Sequence, residues 1–314
     1  MKVDVVIVTY NRLEKLKKAL ASYESQTRSF RNMIVVNNHS TDGTYEYLEE
    51  WKGQRAPFSK IIINTDENIG GSGGYFLGQK KALELAAEWV FLADDDAYAN
   101  PDMMEIFYGY AENHDSSKLS AICGTVYHAD GTIDFNHRSS YIKNGRRFIY
   151  RLPSEPEDYT KPEFEIDYLS YVGSFINGRA LSKVGLVDAR FFIFWDDSEH
   201  SLRLKKFGSI ICVPQIGIVH DDGKTGQPSE NKGTGTTVSW KDYYLARNEI
   251  VMTKRHFPLA AIHQLRKDLT NRLKGKRQDD AYGEVIWDAY KDAWLGRMGK
   301  HKVYKPGWEI KVNQ

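Results

Sequence analysis

Three consecutive carboxylates, Asp94, Asp95 and Asp96, follow a short apolar run that begins at Trp89. Side chains alternate along an extended chain, so Asp94 and Asp96 are predicted to lie on one side and Asp95 on the other. Two carboxylates on one side can bind a divalent cation such as Mg²⁺ or Mn²⁺. An isolated acidic turn is more often simply solvated. The apolar run before this cluster instead indicates the carboxyl end of a buried strand, where open α/β sheets bind ligands.

His220 ends a later apolar run, next to Asp221 and Asp222. A histidine in this position is often a structural residue. An imidazole combined with the Asp94 and Asp96 carboxylates, however, is a donor set that suits Mn²⁺ or a similar ion. The three residues together would hold a cation that neutralises a diphosphate leaving group.

A second acidic pair, Asp196 and Asp197, follows the aromatic run 191–195 and precedes a basic segment, 202–207, with helical character. One of the two aspartates could cap that helix. A cap does not account for both, and Asp197, kept apart from the metal, could remove a proton from an attacking hydroxyl. Direct displacement at a sugar carbon needs one such base on the side of the ring opposite the leaving group.

A glycine-rich run, 68–74, lies between the apolar segment 60–63 and a helix predicted over 75–88. Backbone amides in such a loop can bind a diphosphate near a helix amino terminus, although a flexible connector has a similar composition. The run is not a dinucleotide fingerprint, because it follows the third strand instead of the first, and it has no Walker lysine. Its place between a strand and a helix favours a ligand-binding role.

The elements that must position these residues follow a regular order. Four strands are predicted in the first hundred residues, at 3–8, 33–36, 60–63 and 90–92. A polar loop and a helix follow each of the first three strands. This alternation is typical of an α/β fold with a mainly parallel sheet, helices on both faces and polar loops at one edge.

The rest of the chain is less regular. Strands are predicted at 121–127 and 210–213, and the polar stretch 128–170 could form a hairpin over the site. The loop 223–237 is rich in Gly, Ser, Thr and Lys. Such a loop could order over a phosphate-bearing ligand.

From residue 239 the sequence has a helical pattern and many basic and aromatic residues. Apolar residues recur at helical spacing over 259–273, with basic residues among them and up to position 277. A helix of this kind can pack on the core with its charges solvated. The alternatives are contact with an anionic membrane surface and an oligomer interface.

Composition limits the class of protein. The net charge of +1 gives no general attraction to nucleic acid. The two cysteines, Cys123 and Cys212, lie in apolar runs, which suits reduced thiols better than a disulfide. The amino terminus lacks the apolar stretch of a signal peptide, and no window approaches the roughly 20 apolar residues of a membrane span. We therefore expect a cytoplasmic protein.

Four motifs along the chain resemble the successive signatures of family 2 inverting glycosyltransferases with the GT-A fold, over about residues 3–255. They are Thr9-Tyr10-Asn11-Arg12, Asn37-Asn38-His39-Ser40-Thr41-Asp42-Gly43, Asp94-Asp95-Asp96 and Trp195-Asp196-Asp197-Ser198-Glu199. The run Asn68-Ile69-Gly70-Gly71-Ser72-Gly73-Gly74-Tyr75 is similar to that of the bacterial galactofuranosyltransferases. Those enzymes also combine the acidic cluster, the Trp-Asp-Asp motif and a downstream metal-binding histidine.

The resemblance implies a GT-A domain over 1–238 and a helical extension over 239–314. Within the domain, residues 1–100 form a Rossmann-like nucleotide-sugar-binding half and residues 101–238 an acceptor-binding half. The implied donor-binding residues are Thr9, Asn11, Arg12, Asn38, Asn68, Gly71, Gly74, Asp94 and Asp95. The resemblance also implies that Asp94, Asp96 and His220 bind Mn²⁺ or Mg²⁺. It implies Asp197 as the base, and Trp195 with Asp196 in the acceptor site.

The function so implied is metal-dependent, inverting transfer of galactofuranose from a UDP-sugar to a lipid-linked or polysaccharide acceptor in bacterial cell-surface glycan synthesis. Without the large extra domains of polymerising members, we expect addition of one or a few residues. Rhamnosyltransferases share most of the scaffold, so another donor sugar is the nearest alternative. A nucleotidyltransferase needs a basic glycine-rich signature after its first strand, which 9–12 does not match. A carbohydrate-binding module would use the Tyr and Trp residues for stacking and would not need Asp96 or Asp197.

Overall fold

The computed structural model describes residues 1–144, 148–223, 237–273 and 281–311. The first hundred residues contain the predicted strands and helices. They are β1 (Val3–Thr9), α1 (Leu13–Glu24), β2 (Asn32–Asn37), α2 (Thr44–Gly53), β3 (Ser59–Asn64), α3 (Gly70–Glu84), β4 (Trp89–Asp94) and β5 (Ala97–Ala99). All seven residues of β1 are buried, because this strand lies between two parallel neighbours and has helices on both faces.

The second part of the chain completes the sheet. Its elements are α4 (Met103–Asn113), β6 (Leu119–His128), β7 (Arg138–Asn144), β8 (Phe148–Pro153), β9 (Phe164–Ile166), β10 (Tyr168–Leu169), β11 (Ser174–Asn177), α5 (Gly178–Val184), α6 (Asp196–Leu204) and β12 (Ser209–His220). The strand order is β3-β2-β1-β4-β11-β6-β12-β5, with β9 also paired to β12. Strands β5, β9 and β11 run antiparallel to their neighbours, and the other pairs are parallel. The predicted mainly parallel α/β fold is confirmed.

Two apolar clusters hold the helices against the two faces of the sheet. On one face, α1, α2 and α4 contribute Leu16, Trp51 and Phe107. On the other, α3 and α5 contribute Tyr75 and Leu181. Each face of the sheet therefore buries a continuous apolar surface, which is the driving force for this layered arrangement.

Two helices begin earlier than their sequence patterns indicate. Helix α3 begins at Gly70, so the glycine run forms its first turns and not a loop before position 75. Glycine is a poor helix former, but a Cβ at Gly74 or Gly78 would overlap Val8 or Val6 of β1. Close packing on the sheet thus requires glycine there. Helix α6 begins at Asp196, six positions before the basic segment that predicted it.

Part of the polar stretch 128–170 is a hairpin, as predicted. Strands β7 and β8 pair in antiparallel register, and β10 adds to β7 to form a three-stranded sheet. Cys123 and Cys212 are buried free thiols on the adjacent strands β6 and β12. The predicted loop 223–237 falls almost wholly on 224–236, outside the described residues.

The C-terminal region is helical, as predicted, with a small two-stranded sheet in addition. Its elements are β13 (Thr237–Ser239), α7 (Trp240–His256), α8 (Pro258–Leu273), α9 (Ala281–Leu295) and β14 (Glu309–Lys311). Tyr243, Tyr244 and Val285 enclose Phe192 in one apolar cluster, so this region packs directly on the segment before α6. Within the described ranges, no helix has the length and apolar character needed to span a bilayer.

Candidate active site

The acidic cluster and the histidine meet because two strands pair. Asp94 is the last residue of β4, and Asp95 and Asp96 form the turn into β5. Strand β5 pairs with the end of β12, with Ala97 opposite His220. As a result, ligand atoms of Asp94, Asp96 and His220 all lie within 4.8 Å of one another, and His220 Nε2 is 3.4 Å from Asp96 Oδ1.

The three side chains fit a divalent cation. Asp96 Oδ1 is buried and forms no hydrogen bond of ordinary geometry with the described residues. Its ion-pair partner is His220 Nε2 at 3.4 Å, and a cation bound between the two would compensate the burial of the carboxylate. Tyr75 donates to Asp94 Oδ1 at 2.6 Å and so fixes the orientation of that carboxylate. Two carboxylates with one imidazole suit Mn²⁺ or Mg²⁺. These residues would hold the ion.

Two cations of α1 and the preceding loop lie beside the cluster. Arg12 Nη1 donates to Asp96 Oδ2 at 2.7 Å and to Asp95 Oδ1 at 3.3 Å, and Lys15 Nζ is 3.8 Å from Asp96 Oδ2. Burial alone would raise the pKa of Asp96, but His220, Arg12 and Lys15 together lower it. Burial and the charge of Asp96 raise the pKa of Asp94. The two carboxylates therefore differ in basicity.

Asp95 contacts the loop after β1, and it shares Arg12 Nη1 with Asp96. Its Oδ2 accepts a 2.8 Å hydrogen bond from Thr9 Oγ1. Burial raises the pKa of Asp95 to about 7, although Arg12 and Thr9 oppose the shift. The buried Asp95 and Thr9 thus connect the acidic cluster to the first polar loop.

The three asparagines predicted to bind the donor stabilise neighbouring loops. Asn11, with φ 52°, accepts from the Thr41 amide at 2.7 Å. The buried Asn38 donates to Asn68 Oδ1 at 3.2 Å and to the Gly70 carbonyl, and its Oδ1 accepts from the Ile69 amide. Asn38 and Asn68 therefore define the turn that leads into α3.

The two predicted glycines lie in different surroundings. Gly71 and Ser72 line a large cavity, and a Cβ built at Gly71 would meet no atom within 4 Å other than those of its chain neighbours and its own helix backbone. Gly74 faces Val8 of β1. The packing of α3 on β1 therefore explains why position 74 is glycine. At Gly71 the absence of a side chain leaves space in the cavity.

The second acidic pair occupies the first turn of α6. Asp197 Oδ2 accepts a 2.9 Å hydrogen bond from Tyr168 Oη. Burial raises the pKa of Asp197, opposed by Tyr168 and by the charge of Arg151. Burial and the charge of Asp197 raise the pKa of Asp196 to about 7. The N-cap position belongs to Trp195, so the cap interpretation accounts for neither aspartate.

One cavity of about 1500 Å³ contains both acidic sites. Its wall includes Asp94, Asp96 and His220 at the metal-ligand cluster and Asp196 with Asp197 at the start of α6. The structure thus brings together two carboxylate sites that are about a hundred positions apart in the chain. Trp195, predicted to shape the acceptor site, packs against the apolar cluster of Phe191, Val251 and Ala293.

Sequence reasoning missed several residues of the cavity wall. Tyr168, Arg151 and Lys241 line it, and the Arg151 guanidinium stacks 4.3 Å from the centre of the Tyr168 ring. None of them belongs to a local motif. For Tyr168 and Arg151 the signal was the abundance of Tyr and Arg in 128–170, which indicates a binding surface but no particular residue, and Lys241 had no such signal.

The segment that precedes Asp196 has an unusual backbone. Phe192, Phe194 and Trp195 have φ values of 69°, 65° and 66°, in the left-handed region that non-glycine residues rarely adopt. The Phe192 carbonyl accepts from the Ser72 amide at 3.2 Å. This segment therefore contacts the first turn of α3 as well as carrying the acidic pair.

A family model and individual relatives of known function both match this chain. The family model described as Glycosyl transferase family 2 matches residues 4–174, just over half of the chain. Galactofuranosyltransferase GlfT1 of Mycolicibacterium smegmatis is 30% identical over 213 residues, which are 66% of this chain and 66% of that protein. The dTDP-rhamnosyl transferase RfbF of Shigella flexneri is 24% identical over 257 residues, 81% of each chain. The chain thus spans slightly less than two thirds of the galactofuranosyltransferase.

Solved structures share the fold at low sequence identity. S. aureus TarS 1–349 in complex with UDP-GlcNAc superposes with a TM-score of 0.56 at 16% identity, covering 93% of this chain and 80% of that one. GalNAc-T7 with UDP, GalNAc and Mn²⁺ gives a TM-score of 0.57 at 13% identity, covering 81% of this chain and 48% of that one. These likenesses confirm the predicted GT-A type of fold.

Proposed function

The chain belongs to glycosyl transferase family 2, and on this premise we propose that it transfers a sugar from a UDP-sugar to a hydroxyl of a lipid-linked or polysaccharide acceptor, with inversion. The observation that carries the proposal is the shared cavity, which holds a divalent-cation ligand set and a separate buried carboxylate. The family relationship favours a transferase over the nucleotidyltransferase and carbohydrate-binding alternatives.

The donor is proposed to bind between the acidic cluster and the first turn of α3. Bound Mn²⁺ or Mg²⁺ would neutralise negative charge on the departing diphosphate. Asp94, Asp96 and His220 would hold the ion, and Arg12, whose side chain is half exposed, would add a second positive charge on the same side. Gly71 leaves room for the backbone amides to approach a phosphate.

Asp197 is proposed to accept the proton of the attacking hydroxyl. Burial raises its pKa, which makes the ionised carboxylate a stronger base than a solvated one. The hydrogen bond from Tyr168 orients one carboxylate oxygen, and the stacked Arg151 stabilises the tyrosine ring. Inversion requires this base to act on the side of the sugar opposite the leaving diphosphate.

Galactofuranose is the proposed donor sugar, for two reasons. The 30% identical relative is a galactofuranosyltransferase, and the run 68–75 is similar to that of this group. Rhamnose is the second candidate, because a dTDP-rhamnosyl transferase matches a longer part of the chain. The proposed process is bacterial cell-surface glycan synthesis. We also propose that residues 1–100 form the donor-binding half, residues 101–238 the acceptor-binding half and residues 239–314 a helical extension.

Contact with the cytoplasmic face of the membrane is proposed for α8. Leu259, Ile262 and Leu269 are exposed on this helix, together with the basic Arg266 and Lys267. Exposed apolar side chains beside basic ones suit an anionic lipid surface. Three further basic residues of the predicted helix, Lys274, Lys276 and Arg277, lie outside the described residues. Binding to phosphatidylglycerol vesicles should weaken after charge reversal at Arg266 and Lys267, whereas loss of a larger sedimenting species would indicate an oligomer interface instead.

The function is tested by thermal shift and by transfer. Ligands that bind the folded state raise its melting temperature, so UDP with Mn²⁺ should stabilise the protein more than either alone. Radiolabelled UDP-galactofuranose, UDP-hexoses and dTDP-rhamnose are then offered with lipid-linked and polysaccharide acceptors. Transfer from UDP-galactofuranose supports the proposal, transfer from dTDP-rhamnose alone supports the second candidate, and absence of transfer from every donor contradicts both.

A further inference from the structure

Two adjacent residues of α7, Arg247 and Asn248, are buried against the segment that carries Asp197. Asn248 Nδ2 donates to the carbonyls of Phe191, Ile193 and Phe194 at 2.9, 2.7 and 3.0 Å. Arg247 Nη2 donates to the Phe191 carbonyl at 2.9 Å. Three carbonyls of one irregular segment therefore depend on this pair for hydrogen bonds, as buried carbonyls outside regular structure must.

The pair is itself held in place by the C-terminal region. Arg247 Nε donates to Asn248 Oδ1 at 2.8 Å, and Arg247 Nη1 donates to the Gly299 carbonyl at 2.6 Å. The guanidinium also lies 4.8 Å from the centre of the Tyr244 ring. Both side chains are essentially inaccessible to solvent, so their geometry is fixed by packing on all sides.

The contacted segment has a conformation that needs such support. Phe192, Phe194 and Trp195 all have left-handed φ values, and such residues persist only where the surroundings hold them. Asp196 and Asp197 follow immediately, and Ile193 and Phe194 line the cavity beside them. The direction in which α6 begins, and so the place of the Asp197 carboxylate, depends on these backbone angles.

We infer that Arg247 and Asn248 are positioning residues that fix the Asp197 carboxylate for its role as base. This inference rests on the proposed function. It makes the C-terminal helices part of the catalytic apparatus and gives α7 a task separate from any membrane contact of α8. The same segment receives the Ser72 amide on its Phe192 carbonyl, so α7 also supports the first turn of α3.

The test compares Asn248→Asp with Val285→Ala. The first variant keeps the size of the side chain and removes the amide donor from three carbonyls. The second loses buried volume in the same apolar cluster around Phe192 without removing a hydrogen bond from the segment. Asn248→Asp should lower kcat by roughly 10- to 100-fold, the usual effect of displacing a catalytic group by about 1 Å, with the donor KM within about threefold of wild type. Val285→Ala should lower the melting temperature and leave kcat within about twofold.

Hydrogen exchange supplies a readout that does not depend on activity. Amides of residues 190–197 should exchange at least tenfold faster in Asn248→Asp than in Val285→Ala at comparable global stability. If Asn248→Asp does not fold, Arg247→Lys, which keeps the charge, is held to the same criteria. Equal kcat losses in the two variants, or unchanged exchange over 190–197, overturn the inference. Absence of transferase activity in the wild-type protein would refute the proposed function instead. The exchange rates over 190–197 would then decide whether Asn248 holds this segment in place.

Discussion

Replacing Tyr168 by phenylalanine is expected to move the acid side of the pH–activity profile toward higher pH. The Tyr168 hydroxyl donates to Asp197 Oδ2 at 2.9 Å. This hydrogen bond stabilises the charged carboxylate and so lowers the pKa of Asp197, against the larger raising effect of burial. Without the Tyr168 hydroxyl, less remains to oppose the effect of burial on the carboxylate. The pKa of Asp197 therefore rises further.

The size of the shift follows from the strength of the hydrogen bond. A bond to a charged group contributes about 1.5–3 kcal/mol, and about 1.4 kcal/mol corresponds to one pKa unit. The acid limb of the kcat profile should thus move upward by about one to two pH units. The base must be unprotonated to act, so the loss of kcat should be largest on the acid side and should close as the pH rises above the new pKa.

The assay is initial-rate transfer at saturating donor and acceptor across a pH series. Tyr159→Phe is the matched control, because the Tyr159 hydroxyl is buried with no partner in the part of the chain that the structure describes. That variant should keep the wild-type profile. A Tyr168→Phe profile that falls by the same factor at every pH, or whose acid limb moves downward, would contradict the assignment of Asp197 as the titrating base.

Three further predictions test other parts of the site. Asp197→Asn should lower kcat by about 10²- to 10⁴-fold while UDP with Mn²⁺ still raises the melting temperature as in wild type; loss of that stabilisation would mean a donor-binding role instead. His220→Ala should abolish the extra stabilisation that Mn²⁺ gives in the presence of UDP, as should EDTA on the wild-type protein, and a persistent Mn²⁺ effect would exclude His220 as a ligand. Gly74→Ala should cost about 1–3 kcal/mol of stability through overpacking on Val8. Gly71→Ala should instead leave the melting temperature unchanged or higher and raise the donor KM. Denaturation and steady-state kinetics check both variants, and equal destabilisation by the two would refute the difference in packing.

The sheet could be predicted because β1, β2 and β4 are buried on both faces and so appear as mainly apolar runs. The start of α3 could not, since the low helix propensity of glycine is overridden by close packing on β1, a contact that no local pattern contains. Asp94, Asp96 and His220 were predictable as a group because the acidic cluster follows one apolar run and the histidine ends another. Tyr168 and Arg151 were not, because each reaches the cavity from a segment with no motif. Asn248 was not, because it acts on the carbonyls of 191–194, a contact across more than fifty positions of the chain.

The two carboxylate oxygens of Asp96 have different environments, and this difference has a thermodynamic consequence. Oδ2 accepts from Arg12, while Oδ1 faces His220. The positive charge of the Arg12 guanidinium weakens the attraction between the Asp96 carboxylate and a divalent ion. The negative charge of a bound nucleotide would offset the guanidinium charge and so strengthen that attraction. Metal and sugar nucleotide should therefore be heterotropic partners, each increasing the affinity for the other by the same factor.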